Sequence, residues 1–321
     1  MNETSTSTTN LREAKSEAYV EGILSEKTLE ETVDEKTGNR LIKGNLLIQT
    51  SDTNFVKFSV WNNSKKSDHK GGFTSEENKT FKGTETVMNE YKSIAEVGKD
   101  EATRVRVKNA QIRPNTYWNS DRNMFVEGIN FSTNFFTRLK DSEELAPTAT
   151  FDIEVYIDSI TKETVKTGDN AGEETGRVLV KGWLPTYNGI EKIVLVAPIT
   201  DDEGNEIASA VESSYEKGQT VHFFGNIVAS RIEHKKEIPV KIGKPKVEIT
   251  TEYINEFQIT GSSEIEEEGV FESPFKAEAI EKAITERENN LEKKKSETGN
   301  KSISRPNTTG TPSSGRKMPT F

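Results

Sequence analysis

The chain has 321 residues, of which 31% are hydrophobic and 30% charged, and its formal net charge is −10. It contains no cysteine, which excludes disulfides, thiolate metal sites and cysteine nucleophiles. No apolar run reaches the roughly 20 residues that span a bilayer, and the N-terminal sequence lacks the basic and apolar regions of a secretory signal. We therefore expect a cytoplasmic protein of about two small domains.

Charge is unevenly distributed along the chain. Residues 19–140 carry 19 Lys+Arg and 17 Asp+Glu, whereas residues 141–260 carry 12 and 22. This asymmetry predicts that only the first half meets an anionic partner such as a nucleic acid, because the second half would repel phosphates.

Short runs of alternating apolar and polar residues begin at Tyr19 and are bounded by Gly, Asn and Asp, which is typical of strands. The runs are YVEGILSE, LIKGNLLIQT, FVKFSVW, TRVRVKNAQI and MFVEGINF. Between the third and fourth runs, residues 86–97 place Val87, Tyr91, Ile94 and Ala95 at helical spacing. The predicted order is three strands, a helix and two strands.

The second half repeats this order. Its strand-like runs are FDIEVYIDSI, RVLVKGWLP, EKIVLVAPI, TVHFFGNIVASRI and EYINEFQIT, with a helix predicted near ASAVESSYE before the last two. A repeated unit indicates a duplicated domain, and this element order is that of the OB-fold, a five-stranded barrel. The competing interpretation is a pair of β-sandwiches, which usually need about seven strands and no internal helix.

We therefore predict an all-β-dominated fold with one short helix per repeat. The predicted segments are a disordered N-terminus over 1–18, a first OB-fold-like domain over 19–140, a second, acidic one over 148–261, and a tail over 262–321. The tail combines an acidic segment, a helix at 274–295 with too thin an apolar stripe to be stable alone, and a low-complexity end.

Motifs that would indicate catalysis are missing from the sequence. It has no phosphate-binding glycine loop, no dinucleotide-binding fingerprint and no nucleophile elbow. The three histidines are scattered, and the acidic stretch at 201–206 lacks the ligand spacing of a calcium loop. We expect no enzymatic activity, no cofactor and no metal site.

Two neighbouring predicted strands place cations and aromatic rings on one face. Alternation along FVKFSVW puts Val56, Phe58 and Val60 inside the barrel. The opposite face then carries Phe55, Lys57 and Trp61, with Lys43 on the adjoining strand. Flat rings interleaved with lysines suit a single-stranded nucleic acid, which offers bases for stacking and phosphates for pairing.

Further candidates lie on the fourth strand and in two loops. They are Lys65, Lys66, Lys70, Arg104, Arg106, Lys108, Arg113, Tyr117, Trp118 and Arg122. In the second half only Trp183 and Tyr187 remain as candidate stacking groups. The alternative is that Trp61 and Trp118 pack under loops or against the second domain, and that the lysines are ordinary solvated charges.

The segments YVEGI, LIKGNLLI, VKFSVW and ETVMNEYKSIA resemble the single-stranded DNA-binding proteins of bacteriophages that infect Gram-positive bacteria, over roughly residues 19–260. The resemblance implies non-specific coating of single strands in replication and recombination, in the host cytoplasm, and a C-terminal tail that recruits replication or recombination proteins. The terminal Met318-Pro319-Thr320-Phe321 departs from the bacterial pattern because basic residues precede it.

Three aromatic residues are the expected anchors of this partner-binding tail: Phe271, Phe275 and Phe321. Single-stranded RNA as a ligand and self-association both stay open at this point. A further alternative is a phage structural or assembly protein that uses its barrels without nucleic acid.

Overall fold

The computed structural model describes residues 11–35, 37–68, 72–238, 246–264 and 273–301. The strands of the first half are β1 (Ser16–Lys27), β2 (Glu30–Val33), β3 (Arg40–Gln49), β4 (Phe55–Asn63), β5 (Lys65–Ser67), β6 (Phe73–Glu77), β7 (Arg104–Asn119), β8 (Met124–Ser132) and β9 (Thr137–Arg138). Those of the second half are β10 (Thr148–Thr164), β11 (Glu174–Thr186), β12 (Gly189–Ala197), β13 (Thr220–Ile238) and β14 (Lys246–Glu264). The helices are α1 (Lys79–Glu90), α2 (Ile94–Val97), α3 (Ile207–Ser214) and α4 (Ala277–Lys301).

The first half closes into a five-stranded barrel. Strand β1 pairs with β3 and with β7, β3 pairs with β4, and β7 pairs with β8. The ring closes through a parallel pairing in which Phe58 of β4 lies opposite Phe131 of β8. Alternation drives the closure, because every second side chain of β3 and β4 enters the core and Phe58 is fully buried.

The second half repeats the same ring. Strand β10 pairs with β11 and β13, β11 with β12, and β13 with β14, and β12 meets β14 in parallel at Val196 and Gln258. Helix α3 precedes the fourth strand of this barrel, as α1 and α2 precede the fourth strand of the first. The predicted fold class of two tandem OB-folds is confirmed.

A strand pairing joins the two barrels into one sheet. Strands β1 and β10, each the first strand of its barrel, run antiparallel from Ser16 opposite Ile153 to Glu21 opposite Thr148. The cores also meet, because the ring of Phe257 lies 6.1 Å from that of Phe131 and 5.2 Å from that of Phe151. The barrels are therefore packed against each other.

Each barrel sends the hairpin between its fourth and fifth strands onto the other barrel. On β7, the Thr116 hydroxyl lies 3.3 Å from the Glu191 carboxylate of β12. In return, β13 forms a bridge with the β3–β4 turn, where Asn54 lies opposite Ser230. The β3–β4 turn of the first barrel therefore lies beside β13 of the second barrel, and β7 of the first barrel lies beside β12 of the second.

The helical segment differs from its prediction. A helix was predicted over 86–97, but α1 begins at Lys79, with the Asn78 side chain accepting a hydrogen bond from the Thr80 N–H. It ends at Glu90, and the hydroxyl of the following C-cap residue, Tyr91, donates to the Phe136 carbonyl oxygen at 2.8 Å. Helix α2 follows with its own capping box. The first turns of α1 escaped the pattern because its buried positions include a polar residue, Thr84.

Both ends of the described chain are better packed than predicted. Disorder over 1–18 is wrong for residues 11–18, because Ala14 is buried and the Arg12 guanidinium lies 2.7 Å from the Glu154 carboxylate. The helix predicted at 274–295 is present as α4, but it is not marginal, because Ile280 and Ala283 are buried in the core. No helix in the described ranges is long and apolar enough to cross a membrane.

Candidate nucleic-acid interface

The outward side chains of β3 and β4 form what we call the β3–β4 face. Register pairs Lys43 with Trp61 at one end of this face, and Gln49 with Phe55 at the other. Leu47 and Lys57 lie opposite each other between these ends. Trp61 is 65% exposed, whereas the inward neighbours Val60 and Val56 are buried. The predicted division of the two strands into an inner and an outer side is confirmed.

A network of asparagines fixes the turn that follows β4. Asn39 is buried, and its side-chain oxygen accepts hydrogen bonds from the Ser64 hydroxyl at 2.7 Å and the Lys65 backbone N–H at 3.2 Å. Asn62, also buried, donates to the Thr84 hydroxyl of α1 at 2.7 Å. Buried, satisfied amides make the local backbone rigid, so Lys65 projects from an ordered turn beside Trp61. Nothing in the spacing of these asparagines along the sequence marks them as a network.

The lysines around this face differ in what they contact. The ammonium groups of Lys57 and Lys65 are exposed and form no ion pair with a described residue. Lys66 lies 2.6 Å from the Glu76 carboxylate, and Lys43 lies 3.3 Å from that of Glu30. Lys57 and Lys65 are therefore free to meet phosphates, whereas the charges of Lys43 and Lys66 are partly neutralised.

The cations of β7 are used inside the fold. The Arg106 guanidinium lies 2.6 Å from the buried Glu21 carboxylate and 3.3 Å from that of Glu143. Arg104 donates to the backbone carbonyls of Lys140 and Glu143. The prediction that Arg104 and Arg106 present charge to phosphates is wrong, because intramolecular acceptors hold both groups. On the same strand, Lys108 is exposed.

The β7–β8 hairpin lies away from Trp61. Since β8 runs parallel to β4 with Phe131 beside Phe58, the hairpin tip at Met124 extends beyond the Phe55 end of β4. At about 3.3 Å per residue, the tip is roughly 30 Å from Trp61 along the strand direction. The residues predicted to form one surface therefore separate into two groups.

Of the two candidate stacking residues on this hairpin, Trp118 already packs against other side chains and Tyr117 is exposed. Trp118 packs edge-on against Phe125, with ring centroids 5.0 Å apart, and the Lys295 ammonium of α4 lies 4.8 Å from its ring centroid. Tyr117 is 49% exposed. The remaining cations of the hairpin, Arg113 and Arg122, are exposed. The contacts of Trp118 match the packing alternative that the sequence left open.

On the equivalent face of the second barrel, the tryptophan is covered. Trp183 of β11 is only 6% exposed, because the Arg287 guanidinium of α4 and the Lys192 ammonium lie 5.7 and 5.4 Å from its ring centroid. Trp183 is therefore not a stacking group in this arrangement. Tyr187, at the β11–β12 turn, is 81% exposed.

Of the three aromatic residues predicted to anchor a partner-binding tail, one lies within the described residues. Phe275 is buried, its backbone N–H donates to the Thr220 hydroxyl at 3.0 Å, and the Arg12 guanidinium lies 4.3 Å from its ring centroid. The prediction that Phe275 is a partner anchor is wrong, because the ring belongs to the core. Phe271, Phe321 and the candidate cation Lys70 lie outside the described residues.

A family model described as YorF matches residues 15–297, which includes both barrels and most of α4. The chain belongs to the YorF family. No curated protein matches it.

Among solved structures, this YorF-family chain is similar to a wild-type single-stranded DNA-binding protein from Thermus aquaticus, at 8% identity and a TM-score of 0.44, covering 81% of this chain and 97% of that one. A deletion mutant of the Thermus protein matches at 10% identity and a TM-score of 0.44, with 80% and 97% covered. A replication protein A heterotrimer bound to single-stranded DNA matches at 12% identity and a TM-score of 0.22, with 79% and 67% covered. TM-scores of this size do not establish a shared fold, so the OB-fold assignment rests on the strand order and register described above.

Proposed function

We propose that this protein binds single-stranded DNA without sequence preference, through the β3–β4 face of its first barrel. The observation that carries the proposal is Trp61, which is 65% exposed on a strand whose inward side chains are buried, directly opposite Lys43. A large ring held out of the core beside cations keeps its apolar surface in contact with water unless a partner covers it. A base stacked on the ring and phosphates beside the lysines would cover both.

The chemistry of the face favours sequence tolerance. Its rings and ammonium groups contact features that every nucleotide has, namely a base face and a phosphate. On the described part of the face, the polar groups between the rings are Asn45 and Ser59, which lie opposite each other, and their hydroxyl and amide lie 3.5 Å apart. Coating of single strands during replication or recombination follows as the proposed role, and bacteriophage origin is part of the same proposal.

A titration tests the proposal. Fluorescent oligo-dT should bind the full chain, and the logarithm of the association constant should fall linearly with the logarithm of the salt concentration, because each phosphate contact releases counterions. Oligo-rU measured in parallel would identify a preference between DNA and RNA. No binding of either oligomer at low salt would overturn the proposal and favour a protein-interaction role for the barrels.

A further inference from the structure

Beyond the second barrel, β13 and β14 continue as a two-stranded arm, with register running from Ala229 opposite Asn255 to Ile238 opposite Lys246. The arm is chemically unlike the barrel that carries it. Residues 230–246 hold six Lys+Arg and two Asp+Glu, whereas the whole of 141–260 holds 12 and 22. Half of the cations of the acidic second half therefore lie in this short stretch of the sequence.

The root of the arm is fastened to the first barrel, at the Phe55 end of the β3–β4 face. The Asn54 side chain accepts a hydrogen bond from the Ala229 N–H at 2.6 Å and donates one to the Ile227 carbonyl at 3.1 Å. The Arg231 N–H donates to the Thr53 carbonyl at 2.9 Å. The Asn54 side chain therefore takes the place of a paired backbone beside β13, and these hydrogen bonds set the position of the arm relative to the first barrel.

Register determines which side of the arm continues the face. Because Asn54 lies opposite Ser230, Thr53 lies opposite Arg231, and residues that oppose each other point to the same side of a sheet. The same antiparallel bridge places Phe55 opposite Ala229, and Ala229 and Arg231 share a side because they lie two residues apart on β13. Arg231 in turn lies opposite Tyr253. Arg231 and Tyr253 therefore lie on the same side as Phe55, one and two strand spacings from its strand, which are about 5 and about 10 Å.

The side chains on this side of the arm are exposed. Tyr253 is 68% exposed, Ile249 is 55% exposed, and the Arg231 side chain is 56% exposed. Lys235, which lies opposite Ile249, is also exposed. A two-stranded ribbon has no core of its own to bury such groups, so an aromatic ring, an apolar side chain and two cations lie exposed beside one another.

We propose that the arm of the second barrel is an additional single-stranded DNA-binding element, which extends the β3–β4 face of the first barrel. The proposal rests on the proposed function. A single-stranded DNA that follows β4 from Trp61 to Phe55 next reaches Arg231 and Tyr253. It then reaches Lys235. The second barrel thus binds nucleic acid through its arm, while Trp183 on its own β11–β12 face is covered by Arg287 of α4 and by Lys192. The Glu233 carboxylate lies 3.2 Å from the Arg231 guanidinium and partly neutralises its charge in the free protein.

Oligomer length separates this proposal from the proposed function. The full chain is titrated with oligo-dT of about 5 and of about 16 nucleotides, near the two ends of the site sizes known for one OB-fold. Tyr253→Ala should weaken binding of the longer oligomer at least fivefold, the low end of what loss of one stacked base costs, and should leave the shorter one unchanged. Trp61→Ala should weaken both. Glu233→Gln should tighten only the longer complex, because it releases Arg231.

Ile199→Ala is the matched control, because Ile199 is an exposed apolar residue of the same barrel that follows β12, away from this path, and it should change neither titration. If Trp61→Ala weakens both oligomers and Tyr253→Ala weakens neither, the arm proposal fails while the proposed function stands. If wild type binds neither oligomer, the proposed function fails. Sedimentation of wild type and Tyr253→Ala completes the test: a wild-type oligomer that Tyr253→Ala dissociates, with unchanged DNA affinity, would assign the arm to self-association and overturn the proposal.

Discussion

Glu21 of β1 and Glu154 of β10 each accept a backbone N–H from the segment that leads into the first strand of the opposite barrel. The Ala146 N–H donates to Glu21 at 2.8 Å, and the Lys15 N–H donates to Glu154 at 2.8 Å. Both carboxylates are buried, and each also has an arginine, Arg106 for Glu21 and Arg12 for Glu154. The interface between the barrels therefore has local two-fold character, with equivalent acids on both sides of the β1–β10 pairing.

Glu21→Gln should destabilise the protein by about 2 kcal/mol at neutral pH, because charge-assisted hydrogen bonds from Arg106 and Ala146 are lost inside the fold. Burial raises the pKa of Glu21, but hydrogen bonds from Arg106, Ala146 and Tyr19 outweigh it and hold the pKa below its usual value. This stabilisation is therefore present above the pKa of the unfolded chain, about 4.3, and is lost as the pH falls through the lower pKa of the folded state.

Urea unfolding of wild type and Glu21→Gln across pH 3 to about 7 checks this, and the difference in unfolding free energy should shrink toward the acid end. Glu26→Gln, an exposed acid on the same strand, is the control and should show no such trend. Glu21 and Glu154 lie about 20 Å apart along the pairing, so their effects should add. A difference that stays constant with pH would contradict the assignment.

Trp61→Ala should weaken single-stranded DNA binding by about 1–3 kcal/mol, the cost of losing one stacked base, without changing stability. Trp118→Ala should do the reverse, because Phe125 and Lys295 already engage its ring. Fluorescence anisotropy with oligo-dT and thermal unfolding measure the two effects. Equal loss of affinity in both variants, with unchanged stability, would place both rings on the DNA path.

The sequence predicted the barrels well because alternation has a single physical cause, burial of every second side chain. Phe58 and Trp61 differ in parity, and the structure places one in the core and the other in solvent. Long-range partners could not be predicted in this way. The pairing of Arg106 with Glu21 joins residues 85 positions apart, and no local pattern shows that β1 and β7 will pair so that this carboxylate lies opposite this guanidinium.

The same limit explains the wrong prediction for Phe275. Phe275 follows an acidic stretch and looked solvent-exposed, yet its ring fills a position in the core that only the folded second barrel creates. The arm carried a usable signal, the basic stretch at 230–246 within an acidic half. Averaging charge over 141–260 concealed it, because the net value of a domain says nothing about where its cations lie.

Lys57→Gln and Lys65→Gln should each reduce the salt dependence of single-strand binding by about 0.7 in the slope of the logarithmic plot, the value for one lost phosphate contact. Their ammonium groups form no ion pair with a described residue, so each can meet a phosphate. Arg106→Gln should leave the slope unchanged, since Glu21 and Glu143 hold that guanidinium. Titrations at several salt concentrations measure these slopes. A smaller slope in Arg106→Gln alone would mean that Arg106 of β7 contacts a phosphate of the bound DNA.

Glu30→Gln should tighten single-stranded DNA binding several-fold at low salt. Its carboxylate lies 3.3 Å from the Lys43 ammonium, which in turn lies opposite Trp61, so its removal releases a cation and takes a repulsive charge away from the path. Exposed pairs contribute only about 0.2–1 kcal/mol, and the gain should disappear as salt screens the charges. Glu26→Gln is again the comparison. Unchanged or weaker binding by Glu30→Gln would mean that the strand does not pass Lys43.

Phe275→Ala should destabilise the protein by about 3 kcal/mol or more, the cost of truncating a buried aromatic ring. The ring is 7% exposed and lies under the Arg12 guanidinium, so its loss leaves a cavity and also loosens the contact of the N-terminal segment with Glu154. Differential scanning calorimetry of the full chain measures the loss. Lys282→Ala, an exposed change on α4, is the control and should have little effect.

Because α4 and Phe275 complete the core, a chain that ends before residue 273 should unfold at a lower temperature than the full chain. Unchanged stability in both Phe275→Ala and the shortened chain would show that the barrels fold without α4, and would restore the segment to the role of a separate tail.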